Sequence, residues 1–262
     1  LTPDQNAAIE QMIEHVKMGK RTNALVQGDV GCGKSIVAYI MMAAFVGSGY
    51  QAVLMAPTKV LARQHYEDLQ KLVEPFGYNV AFLGSGLKKS EKDRTLADIE
   101  NGTVRFIVGT HSVVSKTVKY SNLAVTIADE EHKFGVAQRA ALVEKAAAGV
   151  HSITMSATPI PRSLAQVIYG NTVQLHTIQT MPVGRKPVKT VISTGRENLY
   201  KRLAYEISKG HQVYVVCPMI DPNEDAEGVQ SVEEVSAEYT EALSQKGIRI
   251  ATLTGRNSKE YT

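Results

Sequence analysis

Short runs of apolar residues recur along the chain, and stretches with the apolar spacing of helices lie between them. Most runs are apolar at every position rather than at alternate positions, which is typical of strands covered on both faces. Strands that alternate with helices favour βαβ units, so the sequence predicts an α/β fold with a parallel sheet flanked by helices. The predicted strands are Ala24–Gln27, Ala52–Ala56, Val80–Leu83, Phe106–Gly109, Ala124–Ala128, Ile153–Met155, Val188–Ile192, Val213–Cys217 and Ile248–Thr252. The predicted helices are Gln5–Lys17, one from Ile36, Leu61–Leu72, Glu91–Asn101, Gln138–Ala147, Arg162–Ile168 and Leu199–Lys209.

The length suits one large domain or two small ones. The chain has 262 residues, of which 44% are hydrophobic and 21% charged, so global disorder is excluded. Pro182, Gly184 and Pro187 lie between two alternating patterns and predict an extended linker. We therefore expect one domain at residues 1–180, a linker at 181–189 and a second domain at 190–262. Within the second, residues 223–241 predict an acidic loop that leads into a helix.

The net charge of +3 conceals an asymmetry between the two parts of the chain. Residues 1–189 carry 21 Lys and Arg against 15 Asp and Glu, whereas residues 190–262 carry 8 against 11. A modestly basic body suits an anionic partner, and it equally suits an ordinary solvated surface. The two cysteines, Cys32 and Cys217, are too few for a disulfide framework, so we expect a reducing, cytoplasmic location.

One segment has the length of a membrane span. Ser35–Thr58 holds 24 residues without a formal charge, but Gly47 and Gly49 interrupt it and Pro57 ends it. A helix, a turn and a buried strand explain it better, and we expect no association with a membrane. The start of the chain lacks the apolar run of a secretory signal, and the absence of an initiator Met suggests a fragment.

The most specific motif follows the first predicted strand and reads GDVGCGKS. It fits G-x-x-x-x-G-K-[ST], in which backbone N–H groups surround phosphate oxygens at a helix N-terminus. Lys34 would contact the β- and γ-phosphates, and the Ser35 hydroxyl would bind Mg²⁺. A chance Gly-rich turn is the alternative, and Cys32 is either a small filler or a reactive thiol. The predicted nucleotide-binding residues of this loop are Gly28, Asp29, Val30, Gly31, Cys32, Gly33, Lys34 and Ser35.

An acidic string, Asp129-Glu130-Glu131-His132, ends another predicted strand. Beside a phosphate loop, Asp129 would bind Mg²⁺, and Glu130 would orient and deprotonate the attacking water. Adjacent carboxylates also occur on solvated loops, so this interpretation depends on the phosphate loop. A zinc site at His132 is not favoured, because no second His or Cys has suitable spacing.

Small and hydroxylic residues end three further predicted strands, at the sheet edge where α/β proteins bind ligands. Hydroxyl and exposed N–H groups at such strand ends suit the phosphates of a nucleic-acid backbone, whereas Thr58 and Thr110 could equally be ordinary helix caps. The three sets are Pro57 and Thr58; Gly109, Thr110 and His111; and Ser156, Ala157 and Thr158.

These motifs together resemble the motor of superfamily-two helicases. The strings GDVGCGKS, MAPTKVLARQH, VGTHSVV, ADEEHKFGVAQR, MSATPIPRSLA and VGRKPVKT are similar to the RecG family, ATP-dependent helicases of branched DNA. The resemblance implies a P-loop NTPase with a RecA-like parallel sheet, followed by an incomplete second RecA-like domain. It also implies ATP and Mg²⁺ as cofactors, branched double-stranded DNA as partner, and a role in DNA repair and recombination.

The resemblance implies roles for further residues. Thr2 and Gln5 would lie near the adenine, and Lys34, Asp129 and Glu130 would be catalytic. The first two sets of strand-end residues would face the DNA backbone. The residues implied to couple nucleotide state to DNA grip are His132, Gln138, Arg139, Ser156, Ala157 and Thr158. Gln138 and Arg139 could instead contact DNA, and core packing or capping is the alternative for all of the coupling residues.

The chain departs from the family pattern at Lys59, where Glu is common, and at Thr254, where His is expected. The later motifs of the family, including the arginine that reaches the γ-phosphate, are missing, so we expect nucleotide binding with poor hydrolysis. The incomplete second sheet would expose an edge and favour self-association. Two alternatives stay open: the motor of a transcription-repair coupling factor, and a non-catalytic nucleotide-binding module.

Overall fold

The computed structural model describes residues 1–84, 86–130, 134, 149–158, 161, 173–184, 188–193, 195–221, 230–244 and 247–256. The chain forms two compact units, Leu1–Lys186 and Pro187–Thr262. The predicted helices Gln138–Ala147 and Arg162–Ile168 lie outside the described residues.

The described part of the first unit contains a seven-stranded sheet in the order β3-β4-β2-β5-β6-β1-β7. All of its neighbouring strands are parallel, which confirms the predicted α/β class. The carboxyl ends of the strands therefore share one edge of the sheet, where both nucleotide motifs begin. The strands are β1 Asn23–Gly28, β2 Gln51–Met55, β3 Val80–Leu83, β4 Phe106–Gly109, β5 Leu123–Asp129, β6 His151–Ser156 and β7 Gln174–Ile178.

Helices cover both faces of this sheet. They are α1 Pro3–Lys17, α2 Lys34–Gly47, α3 Lys59–Val73 and α4 Lys89–Glu100, with short 3₁₀ turns at Glu74–Phe76 and His111–Val114. Leu54 belongs to a buried cluster with Met41 of α2, whereas its neighbour Val53 belongs to a second cluster with Ile99 of α4. Because successive strand residues point to opposite faces, a strand buried on both sides is apolar at every position.

Strand β7 was not predicted from the sequence. Its residues, Gln174–Ile178, mix polar and apolar side chains, and it pairs only with β1 at the edge of the described sheet. The burial of β7 is mixed in the same way, so this strand lacks the continuous apolar signal that identified the other six strands.

The predicted strands Val188–Ile192, Val213–Cys217 and Ile248–Thr252 are wrong. The described residues of the second unit form helices α5 Arg196–Ser208 and α6 Val232–Ser244, and their one β pairing is a bridge between Met219 and Ser231. Apolar side chains of the second and third segments line a cavity together with residues of α5 and α6. A short apolar run does not by itself distinguish a strand from other structure, and several of these side chains, Tyr214 and Val216 among them, are exposed rather than buried in a sheet.

The uncharged segment Ser35–Thr58 divides into helix, turn and strand. Helix α2 ends at Gly47, and β2 begins at Gln51. No helix within the described ranges is long and apolar enough to cross a membrane.

Acidification is expected to lower the free energy of unfolding, through His151 and His176. Burial lowers the pKa of both imidazoles, and the charge of Arg21 adds to the effect at His151. Because the fold holds both rings neutral, the unfolded chain takes up protons first as the pH falls below about 6.5, and stability decreases from there. Urea denaturation at about pH 7.5 and about pH 5.5 checks this. His176→Val should lose less stability between the two pH values than the wild type, and equal wild-type midpoints would contradict the prediction.

Candidate nucleotide and nucleic-acid site

The phosphate loop joins β1 to α2 at the carboxyl edge of the sheet. Gly31 and Gly33 have φ values of 79° and 88°, in the left-handed region where glycine is favoured. The Lys34 ammonium is buried and donates to the carbonyl oxygens of Gly28, at 2.7 Å, and Asp29, at 3.2 Å. The amine is therefore held inside the curve of the loop, where the motif requires a cation.

Close packing fixes the composition of this loop. A Cβ on Gly28 would lie 2.5 Å from the Ile178 carbonyl oxygen and 2.6 Å from Cys32 Sγ. Cys32 is completely buried, which favours its interpretation as a small filler over that of a reactive thiol.

Thr2 and Gln5 begin helix α1 as a reciprocal capping box. The Thr2 N–H donates to Gln5 Oε1 at 2.8 Å, and Gln5 Nε2 donates to the Cys32 carbonyl oxygen at 2.8 Å. A Cβ on Gly33 would lie 2.2 Å from the same Gln5 nitrogen. The two residues implied to lie near the adenine are thus attached directly to the phosphate loop.

The neighbouring Asp4 was not singled out in the sequence. Its Oδ2 accepts the backbone N–H groups of Gln179, at 2.9 Å, and Thr180, at 2.7 Å. These hydrogen bonds, with that of Thr180 first, hold the pKa of the Asp4 carboxyl below its usual value. Asp4 therefore fastens the start of α1 to the residues that follow β7.

Asp129 and Glu130 stand at the carboxyl end of β5. Glu130 is the one non-glycine residue with positive φ in the described part of the chain, at 51°, and its N–H donates to the Met155 carbonyl oxygen at 3.0 Å. Left-handed backbone at a residue with a Cβ is uncommon and clusters at functional sites. Strand β6 lies between β5 and β1, so Asp129 and the phosphate loop stand on either side of a single strand.

The Asp129 carboxylate is bonded to His65, for which no role was predicted from the sequence. Nε2 of His65, on α3, lies 2.8 Å from Asp129 Oδ2, and Nδ1 lies 2.8 Å from the Tyr39 hydroxyl on α2. His65 and Tyr39 are both buried. The signal in the sequence was His65 itself, at the end of the string that follows Pro57 and Thr58.

Ser156 ends β6, between the two nucleotide motifs. It is buried, and its hydroxyl contacts the Thr158 hydroxyl at 2.8 Å while accepting the Thr158 N–H at 3.2 Å. Ala157 lies inside this small turn. The polar groups of this turn bond to each other, as in an ordinary cap. The turn follows β6, the strand between β5 and β1, so it lies between the two nucleotide motifs.

The residues predicted to face DNA meet at the ends of the adjacent strands β2 and β4. The Ala56 N–H donates to the Gly109 carbonyl oxygen at 2.9 Å, which joins the two strand ends. Thr58 caps α3, because its hydroxyl oxygen accepts the Leu61 N–H at 3.2 Å. The capping interpretation of Thr58 therefore holds whether or not this residue also contacts DNA. The Thr110 hydroxyl lies near that of Ser112, at 3.4 Å.

Exposure differs among these DNA-facing candidates. Thr58 and His111 are exposed and Pro57 is half-buried, whereas Thr110 is buried. A Cβ on Gly109 would lie 2.0 Å from the Leu83 carbonyl oxygen, so packing alone explains this glycine. The predicted coupling residues His132, Gln138 and Arg139 lie outside the described residues.

The oxygen donors available for Mg²⁺ are the Ser35 hydroxyl and the Asp129 carboxylate. Both stand at the carboxyl edge of the sheet, and hard oxygen ligands are those that Mg²⁺ prefers. Among described residues, no group of three or more His, Cys, Asp or Glu side chains could enclose a metal by itself. This set fits an ion that nucleotide phosphates also coordinate, rather than an all-protein metal cage.

The fold and its two nucleotide motifs match a known family. The DEAD/DEAH box helicase family matches residues 2–167, which is more than half of the chain. The chain belongs to the DEAD/DEAH box helicases. The matched region of the chain contains both the predicted phosphate loop and the acidic string.

The predicted resemblance to RecG is confirmed. The chain is 42% identical to the ATP-dependent DNA helicase RecG of Borreliella burgdorferi, over 87% of its own length and 33% of that protein. It is 40% identical to the RecG helicase of Aquifex aeolicus, over 89% of its length and 30% of that protein. The chain thus spans about a third of the length of these curated relatives.

A solved structure shares the same helicase fold. The structure of RecG bound to a three-way DNA junction superposes with a TM-score of 0.74 at 31% identity. The match covers 93% of this chain and 31% of that one. The RecA-like fold implied by the sequence resemblance is therefore confirmed.

Proposed function

We propose that the chain is part of an ATP-dependent helicase or translocase motor that acts on branched DNA in repair and recombination. The observation that carries the proposal is the buried Lys34 in its phosphate loop, one strand away from Asp129 and Glu130. The named activity of the RecG relatives supports ATP and DNA as substrate and partner. The two free cysteines are compatible with a cytoplasmic location.

In the proposed reaction, the chain's own residues position the phosphates and the water. Backbone N–H groups of the phosphate loop and the Lys34 ammonium would bind the β- and γ-phosphates. Ser35 and Asp129 would hold Mg²⁺, which when bound neutralises charge on the phosphate oxygens. The Glu130 carboxylate would accept the proton of the attacking water.

DNA would bind along the same carboxyl edge of the sheet, at the ends of the strands β2 and β4. Thr58 and His111 are exposed there, and Pro57 lies beside them. Hydroxyl and backbone N–H groups contact phosphates without reading sequence, which suits a motor that moves along a duplex. We propose that residues 190–262 begin a second RecA-like domain after a linker at 181–189, and that self-association depends on that region.

ATP turnover of the complete gene product tests the proposal. A three-way DNA junction is expected to raise the turnover at least about tenfold above that without DNA, and above that with a linear duplex of equal length, because differential binding to the branch drives the response. Turnover that is equal with and without DNA would refute the motor. Stimulation by the linear duplex alone would refute the branched substrate.

A further inference from the structure

We propose that His65 is a positioning residue, which orients the Asp129 carboxylate for Mg²⁺ and ties it to helix α3 on the DNA-facing edge. This inference rests on the proposed function, since it concerns the same metal site. Its basis is the buried contact between His65 Nε2 and Asp129 Oδ2, at 2.8 Å, which joins residues 64 positions apart.

The direction of each hydrogen bond follows from what its groups can do. An ionised carboxylate only accepts, so His65 Nε2 carries the hydrogen that points at Asp129. In the tautomer that carries its hydrogen on Nε2, Nδ1 is an acceptor, and it lies 2.8 Å from the Tyr39 hydroxyl. Burial, with the charges of Asp68 and Asp129, raises the pKa of Tyr39, so the phenol keeps this hydrogen.

The arrangement fixes one carboxylate oxygen and leaves the other to a metal. Oδ2 of Asp129 is bonded to His65, while the Asp129 side chain remains 13% exposed at the strand end. Carboxylate ligands are commonly oriented by hydrogen bonds of this kind, and loss of such a partner typically costs about 10-fold to 100-fold in metal affinity. His65 therefore sets the direction in which the second oxygen, Oδ1, can point.

The same histidine joins three elements of the site. Helix α3 begins directly after Thr58, and His65 lies about two helical turns further along it. Tyr39 lies on α2, which begins at Lys34. A shift of α3 when DNA binds at its first turn would thus move the Asp129 carboxylate, which would bind the metal. Side-chain hydrogen bonds between rigid elements are the physical links that such coupling requires.

The test compares His65→Ala with His65→Gln, because the glutamine Nε2 can occupy the place of the histidine Nε2 and donate to Asp129. Binding of fluorescent ADP to the complete gene product is measured without Mg²⁺ and across a Mg²⁺ titration. Without Mg²⁺, His65→Ala is expected to bind ADP as the wild type does. It should need at least about tenfold more Mg²⁺ than the wild type before Mg²⁺ changes its affinity for ADP. His65→Gln is expected to restore the Mg²⁺ requirement to within about threefold of the wild type.

Two further variants separate positioning from folding. Gln64→Ala, at an exposed site on the same helix, should match the wild type in the Mg²⁺ titration. Tyr39→Phe leaves the histidine in place, so it should shift the Mg²⁺ requirement less than His65→Ala, and it serves as the test if His65→Ala fails to fold.

Specific outcomes would overturn the inference. The inference is wrong if the Mg²⁺ requirement of His65→Ala equals that of the wild type. If His65→Ala does not fold, an unchanged requirement in Tyr39→Phe would overturn it. Failure of His65→Gln to restore it would show that the ring serves packing alone. Since ADP binding needs no hydrolysis, a wild type without DNA-stimulated turnover would refute the proposed function while the Mg²⁺ titration still decides the role of His65.

Discussion

Lys34→Ala is expected to lower ATP turnover about 100-fold to 1000-fold and nucleotide affinity about 10-fold to 100-fold. The ammonium is buried within the loop, 2.7 Å from the Gly28 carbonyl oxygen, so the substitution removes a positive charge from inside the phosphate loop. Hydrogen bonds to charged groups contribute about 1.5–3 kcal/mol, and removal of a donor to a developing charge typically costs a factor of about 100 to 1000 in rate. ATPase assays and titration with fluorescent ADP measure the two effects.

Two matched variants control this experiment. Lys20→Ala removes an exposed lysine between α1 and β1 and should leave both quantities unchanged. Lys34→Arg should fail nearly as badly as Lys34→Ala, because the planar guanidinium does not fit a loop built around a compact ammonium. Wild-type turnover in Lys34→Ala would show that the phosphate loop is not the site of hydrolysis.

Glu130→Gln is expected to lower turnover by a factor of about 100 to 10,000 while nucleotide binding remains. The amide keeps the size of the side chain but cannot accept the proton of the attacking water, and general base catalysis contributes about that factor. Gln has the same Cβ and Cγ as Glu at the left-handed backbone of position 130, so we expect the difference to report chemistry rather than folding. Single-turnover hydrolysis and ADP titration distinguish the two effects.

Glu130→Gly separates the strain from the chemistry at this position. Glycine adopts a φ of 51° without steric cost, so this variant should fold like the wild type and be as inactive as Glu130→Gln. Glu100→Gln, in an exposed ion pair with Lys119, should retain full activity. Turnover in Glu130→Gln at the level of Glu100→Gln would exclude Glu130 as the base.

The sequence was most informative where burial and local geometry coincide. Strand β4 was predicted with its observed bounds, Phe106–Gly109, because an interior strand of a covered sheet is apolar on both faces. Asp129 could be placed at the end of β5 because a charged residue ends an apolar run. The phosphate loop is a local motif with fixed spacing, so its position between β1 and α2 followed directly.

What the sequence missed depends on contacts between distant residues. The pairing of His65 with Asp129 arises from the docking of α3 on the sheet, and no local pattern encodes it. In the sequence, Asp4 is an ordinary residue at the start of a helix, whereas its hydrogen-bond partners lie in the segment that follows β7. Val213–Cys217 was predicted as a strand because it is a short apolar run, yet Tyr214 and Val216 are exposed and no strand ladder forms among the described residues of the second unit.

The fastening of α1 to the residues after β7 has a mechanical consequence. Tension applied to the chain beyond Thr180 would first load the two hydrogen bonds to Asp4, before it could peel β7 from β1. From Asp4 the force passes along the first turn of α1 to Gln5, which is bonded to the Cys32 carbonyl oxygen. The edge strand is thereby protected from unzipping, and a pull on the segment that follows it is delivered to the loop that would hold the nucleotide.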